Sequence, residues 1–219
     1  MNENLRLFRY LSAEAALKFI ETRSLRVGRP NEFNDPFEWR LGIDNIERLS
    51  PTELENQKRR NEELLNWMTE TFGVFCCSSV LDDPILWSHY SSSHRGLAIE
   101  LKPENEFIEV TYNSTDLLKV PMNYTREEGL EIFKNLIKQK SPSWSYEKEW
   151  RGVVKLNECE VAGEMYFKTI SDEILSVAIG CRSAIGPNYI RRALDMNGWT
   201  NVTVAKAHLS QSKYKIEFE

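Results

Sequence analysis

The chain has 219 residues, enough for one domain with a sizeable core, and 41% of them are hydrophobic. The formal net charge of −5, from 28 basic and 33 acidic residues, argues against a general nucleic-acid coat. No apolar run approaches the roughly 20 residues that cross a bilayer, and the opening "MNENLRLFRY" lacks the apolar centre of a signal peptide. The expectation is a soluble, cytoplasmic protein with no membrane partner.

The first element is a strand over residues 5–11, "LRLFRYL". Ser12 then caps a helix, "AEAALKFIETR". "SLRVG" reads as a second strand. "RPNEFNDPFEWR" interrupts regular structure, because Pro30, Asn34, Asp35 and Pro36 all favour turns. Residues 51–72 form the longest helix candidate, opened by Pro51, with a solvated first half; it stands as a helical insertion in a single domain spanning residues 1–219. "VFCCSSV" is a strand, and "DDPILWSHYSSS" a short helix with Pro84 in its first turn. "GLAIEL" and "FIEVTY" read as strands, and "LLKVPMNY" as an extended edge segment. "REEGLEIFKNLIKQK" is an amphipathic helix. Strands follow at 149–156, 164–170 and 175–180, then a helix at 187–197 and strands at 201–207 and 213–218. The class is α+β, read as two packed sheets or a split barrel flanked by helices.

Four groups ask for more than core packing. They are Arg9-Tyr10 with Ser12, "FNDPFE" at 33–38, "WSHY" at 87–90 with "HRG" at 94–96, and "YEKEWR" at 146–151. Each also has a plain structural reading. Arg9 suits an edge-strand surface, "FNDPFE" a turn, "WSHY" a core helix face, and the carboxylates of "YEKEWR" a solvated strand face paired with Arg151. On a strand, Glu147, Glu149 and Arg151 share one face. Asn34 and Asp35 are expected to brace the loop through backbone N–H groups, with Phe33 and Phe37 anchoring it in the core.

Metal chemistry is not indicated. His89 and His94 are five apart, about 140° around a helix, which is a poor shared ligand geometry. Cys76, Cys77, Cys159 and Cys181 contain no CxxC pair and read as reduced thiols packed as small apolar groups. There is no G-x-S-x-G elbow, no P-loop and no G-x-G-x-x-G.

Taken together, "FRYLS", "AALKFIETRSLRVGRPNEFNDPFE", "FCCSS", "LWSHYSSSHRGLAIEL" and "WSYEKEWRG" resemble, in this order, a bacterial family called domain of unknown function 2971. More distantly, "YLSAEAALKFIETRSLRVGRP" is similar to the start of ADP-ribosyltransferase-like folds. That resemblance implies a split α+β barrel and cleavage of NAD, with ADP-ribose passed to an unknown nucleic-acid or protein acceptor, in the manner of a toxin or phage-defence effector.

By the same resemblance Arg9 takes the first-strand position and a Glu of "YEKEW" the last. The middle position is contested between "CCSS" and "WSHY". Glu149 is then expected to stabilise an oxocarbenium-like ribosyl, and Glu147 to orient or deprotonate the acceptor. Arg9 would hold a phosphate or hydroxyl, and Trp87 or Tyr90 would stack on nicotinamide. Tyr10, Ser12, His89, Arg95 and Arg151 complete the expected NAD-binding set. The alternatives are a non-catalytic domain that binds a nucleotide or a partner, and a nucleic-acid-processing enzyme.

Overall fold

The structure is a computed structural model describing residues 5–102, 107–121, 123–170 and 174–219. Met122 of the expected extended segment and the first four residues lie outside the described set.

Local signals place the helices. In β1 (Leu7–Leu11) apolar residues alternate between two faces, and Ser12 ends the strand. The Ser12 hydroxyl accepts from the Ala15 amide at 3.1 Å and opens α1 (Ala13–Thr22). Arg23, left-handed at φ 57°, closes it before β2 (Ser24–Val27). α2 (Pro51–Thr71) begins with a reciprocal box between Ser50 and Glu53. β3 (Phe72–Ser78) follows, and Asp83 caps α3 (Pro84–Tyr90) through the Ile85 and Leu86 amides. After β4 (Leu97–Leu101) and β5 (Phe107–Glu109), Thr125 and Glu128 form a second box opening α4 (Arg126–Lys138). A 3-10 helix over Pro142–Glu147 leads into β6 (Glu149–Lys155). Next come β7 (Glu160–Ala162), β8 (Met165–Thr169), β9 (Ile174–Ile179), α5 (Pro187–Met196), β10 (Thr203–Leu209) and β11 (Ile216–Phe218).

Eight strands make one mixed sheet in the order β11-β10-β9-β4-β1-β3-β6-β5. Its pairs are antiparallel except β9–β10, which run parallel with α5 as the crossover. The other three strands form a small antiparallel sheet, β2-β8-β7. A single bridge between Gly28 and Val74 ties the two together. Two sheets are present as expected, but no closed barrel is formed: the large sheet is open, with β11 and β5 as its ends, and no ladder joins them among the described residues. The α+β class stands.

Three apolar clusters hold the sheet. α1 and α5 cover one side over Leu7, Phe75, Leu97 and Val177. α3 packs with the carboxyl-terminal hairpin over Phe8, Tyr10 and Trp87. α2 and α4 meet around Met68, Phe133 and Ile137.

Several boundaries differ from the sequence reading. α3 stops at Tyr90 rather than running through "SSS", because Ser92, Ser93 and His94 turn left-handed at φ 50°, 56° and 68°. Among its described residues "LLKVPMNY" makes one isolated strand bridge, from Lys119 to Gly42. β7 went unread because its three residues are all exposed and show no alternation.

Gly152 sits in β6 against Phe75 of β3, where an added Cβ would collide with the ring. Gly152→Ala is therefore expected to destabilise the protein by about 1–3 kcal/mol. Urea midpoints check this, and adding Phe75→Leu should restore part of the loss.

Candidate functional site

A cavity of about 280 Å³ opens beside the centre of the large sheet. β1 supplies Arg9, α3 supplies Tyr90, the loop after β2 supplies Asn34 and Glu38, and the 146–151 segment supplies Glu147 and Glu149. These residues are remote in sequence. The sheet order brings them together by setting β1 and β6 on either side of β3.

The chain bends at "YEKEWR". Glu147 ends the 3-10 helix, Lys148 is left-handed at φ 44°, and Glu149 starts β6. The two carboxylates therefore do not lie along one strand face as expected. The turn at Lys148 still leaves both lining the cavity, with Lys148 exposed.

Under the cavity lies a buried ion cluster. Arg151 is 1% exposed. Its Nε donates to Glu149 at 2.8 Å, its Nη1 to the Ile137 carbonyl at 3.0 Å, and its Nη2 to Glu38 and Glu149. Lys140 donates to Glu147 at 2.5 Å and to Glu149 at 3.0 Å, and pairs with Glu38 at 3.2 Å. The indole of Trp144 covers the same ammonium, 4.9 Å from the ring centre. Three carboxylates face two cations, so the fully ionised cluster carries one excess negative charge.

That imbalance separates the carboxyls. Burial alone would raise Glu149, but Arg151, its hydrogen bonds and Lys140 outweigh it and hold the group at about 2. Burial raises Glu147 and Glu38, and their cations offset it only in part. The phenol of Tyr90 donates a short hydrogen bond to Glu147, and burial pushes that phenol up. Burial likewise lifts Cys77 to about 12 and Cys76 well above the ordinary thiol range, so neither is a ready thiolate.

Acceptor capacity differs too. A carboxylate offers about four lone-pair sites. Glu149 receives Arg151 twice, Lys140 and the Cys76 thiol, and is full. Glu147 receives only Tyr90 and Lys140 among the described residues, which leaves it two free sites.

The remaining expected residues divide. Tyr10 lines the cavity, but its hydroxyl is spent on the Val80 carbonyl at 2.8 Å. Arg9 donates to the Cys76 carbonyl at 2.5 Å, and among the described residues its buried Nε has no partner. Trp87 does not reach the cavity: it is fully buried, edge-on to Tyr10, and donates to the Leu81 carbonyl. Ser12 is a helix cap, His89 sits 3.2 Å from the Tyr146 hydroxyl on the exterior, and Arg95 is exposed in the loop after α3. Arg151 is locked under the cavity, with Nε and both terminal nitrogens engaged by protein, and is not available to a phosphate.

In the loop, Asp35 braces the turn by accepting from the Phe37 amide at 2.9 Å. Asn34 faces the Tyr90 side of the cavity. Phe33 lies under the Arg151 guanidinium, 5.1 Å away, but Phe37 is 58% exposed and does not anchor the loop in the core. Sequence reasoning missed Glu38 and Lys140. Glu38 was in view as the last letter of "FNDPFE", whereas Lys140 is one lysine in a helix tail rich in them.

The family profile described as Protein of unknown function (DUF2971) matches residues 86–152. That stretch runs from α3 to β6 and includes Tyr90, Lys140, Glu147, Glu149 and Arg151. The match supports a relationship to this family over that part of the chain. No curated protein and no solved structure matches significantly. Among the described residues no helix is long and apolar enough to cross a membrane, and no group of three or more His, Cys, Asp or Glu is placed to hold a metal ion.

Arg151→Met leaves Glu38 and Glu149 facing a hole in their charge balance. It is expected to cost about 3–5 kcal/mol, the usual loss when one partner of a buried pair is removed. An unchanged urea midpoint would show the cluster contributes nothing.

The cluster also sets an acid limb. Because the folded Glu149 is lowered from 4.5 to about 2, its contribution is complete above 4.5 and is lost as pH falls toward 2. Glu38 and Glu147 run the other way: raised on folding, they lose stability as pH rises through their raised values. Denaturation between pH 2 and 5 should therefore show stability falling with acid, and Glu149→Gln should flatten that slope.

Proposed function

We propose that this protein is an NAD-cleaving enzyme of ADP-ribosyltransferase type, with the cavity over the ion cluster as its nucleotide site. The observation that carries this reading is the meeting of Arg9, Tyr90 and Glu147, from three distant elements, on one cavity. Arg9 offers an unpartnered Nε–H to a phosphate or ribose oxygen. Tyr90, half-buried in the cavity lining, offers an aromatic ring to a planar base.

Glu147, rather than Glu149, takes the ribose-facing role, because it keeps open acceptor sites while Glu149 is saturated. As the nicotinamide–ribose bond breaks, positive charge grows on the sugar, and a carboxylate on the 2′-hydroxyl stabilises it. Glu149 acts from below, fixing Lys140 and Arg151 so that the cluster does not rearrange.

The saturation of Glu149 also favours a second reading, a site that binds a nucleotide without cleaving it. One experiment separates them: NAD titration, followed by measurement of nicotinamide release for the unaltered protein and Glu147→Gln. On the leading reading the substitution leaves NAD affinity nearly unchanged and lowers release by about 100-fold or more. Binding with no release from the unaltered protein would establish the second reading, and no binding would end both.

A further inference from the structure

The cavity over the ion cluster carries opposite charge at its two ends, and β3 is the ruler between them. At Ser78, β3 pairs with Glu149 of β6, and the Ser78 hydroxyl donates to the Glu147 carbonyl at 2.6 Å. This is the acid end, above the cluster with its one excess negative charge. At Val74, β3 bridges to Gly28, and the Glu32 carboxylate stands over Gly28, 3.9 Å from where a Cβ would be. Arg26 and Arg29 share that one carboxylate, at 3.3 Å and 3.2 Å, so this group carries one excess positive charge. Val74 and Ser78 are four strand residues apart, about 13 Å. Arg9 stands midway, donating to the carbonyl of Cys76. Arg26 spends only Nη2 on Glu32 and Arg9 only Nη1 on Cys76, so among the described residues both keep donors with no protein acceptor.

We propose that the cavity recognises the nicotinamide mononucleotide half of the dinucleotide and leaves the second nucleoside outside, so that its substrate class is any 5′-phosphate ester of nicotinamide riboside, whatever base follows. This rests on the reading of the cavity as the NAD site and says which part of NAD that site holds.

Charge sets the direction of the ligand. The pyridinium of a nicotinamide riboside is a cation and its 5′-phosphates are anions, which suits a cavity negative at Glu147 and positive at Arg26. The spacing along β3 gives the same order. With the glycosidic bond at Glu147, Arg9 lies one ribose away, at the first phosphate, and Arg26 lies further on, at the second. Guanidiniums with free donors are suited to phosphate oxygens. Size then excludes the remainder. The cavity, about 280 Å³, lies below the roughly 300–1,000 Å³ that encloses a drug-sized ligand, and a dinucleotide is larger than that. Arg26 is itself exposed, so a ligand that passes it has reached water.

Substrate analogues test this. Dissociation constants are measured by titration for NAD, nicotinamide guanine dinucleotide, nicotinamide mononucleotide and nicotinamide riboside, with nicotinamide release followed in parallel. The guanine dinucleotide is expected within about threefold of NAD, whereas a site that hydrogen-bonded adenine would reject it by orders of magnitude. The mononucleotide, which lacks the distal phosphate and nucleoside, should bind about tenfold more weakly than NAD, and the riboside, with no phosphate, about 100-fold more weakly again. Arg26→Ala, at an exposed position, should weaken NAD by about tenfold, leave the riboside unchanged and keep the urea midpoint. A guanine dinucleotide weaker than NAD by about 100-fold, or a riboside that binds as well as the mononucleotide, overturns this inference and leaves the NAD site standing. An Arg26→Ala variant that binds NAD undiminished does the same. Failure of NAD itself to bind ends the NAD reading and this one with it.

Discussion

Arg151 is the constraint around which the rest is arranged. A guanidinium that is 1% exposed must have its donors met by protein, since removing it from water costs several kcal/mol otherwise. Its partners come from three directions: Glu149 on its own strand, the Ile137 carbonyl at the end of α4, and Glu38 on the loop after β2. Meeting those demands fixes where α4 ends and where that loop lies. Lys140, two residues beyond α4, then becomes the second cation that three carboxylates require.

From this follows a division of labour among acids of the same type. Glu149, held by both cations, is a fixed anion; Glu147 and Glu38 sit at the cluster's edge, raised and with open oxygens. Environments that push carboxyl groups apart in this way are what acid–base and charge-stabilising roles need. Structural ion networks also perturb carboxyls. The open lone pairs at the cavity, rather than the shifts themselves, are what distinguish Glu147 from Glu149.

Much of the scaffold was legible in the sequence. Ser12, Pro51 and Pro84 mark helix starts by local chemistry, and the structure opens a helix at each of them. The strands β1, β3, β4, β6, β9 and β10 announce themselves by apolar composition. Sheet closure did not, because nothing local says whether two edge strands meet. The site was half legible. Arg9, Tyr90, Glu147 and Glu149 stood out as polar groups in apolar company, and all line the cavity. Trp87 stood out for the same reason and belongs to the core, because an aromatic beside a histidine looks alike in either place until its neighbours are known. Lys140 stayed hidden because its burial is a product of tertiary structure alone.

Glu38 and Arg151 are 113 residues apart in the chain. During synthesis the strand carrying Arg151 emerges long after β1, α1 and the loop bearing Glu38. Until then Glu38 has no Arg151 to pair with. Closing so long a loop costs entropy before any contact repays it, which slows folding. The ion cluster is therefore absent for most of the chain's growth: the segment that begins at α3 must be made and seated before the acids, the lysine and the arginine can exist as one object.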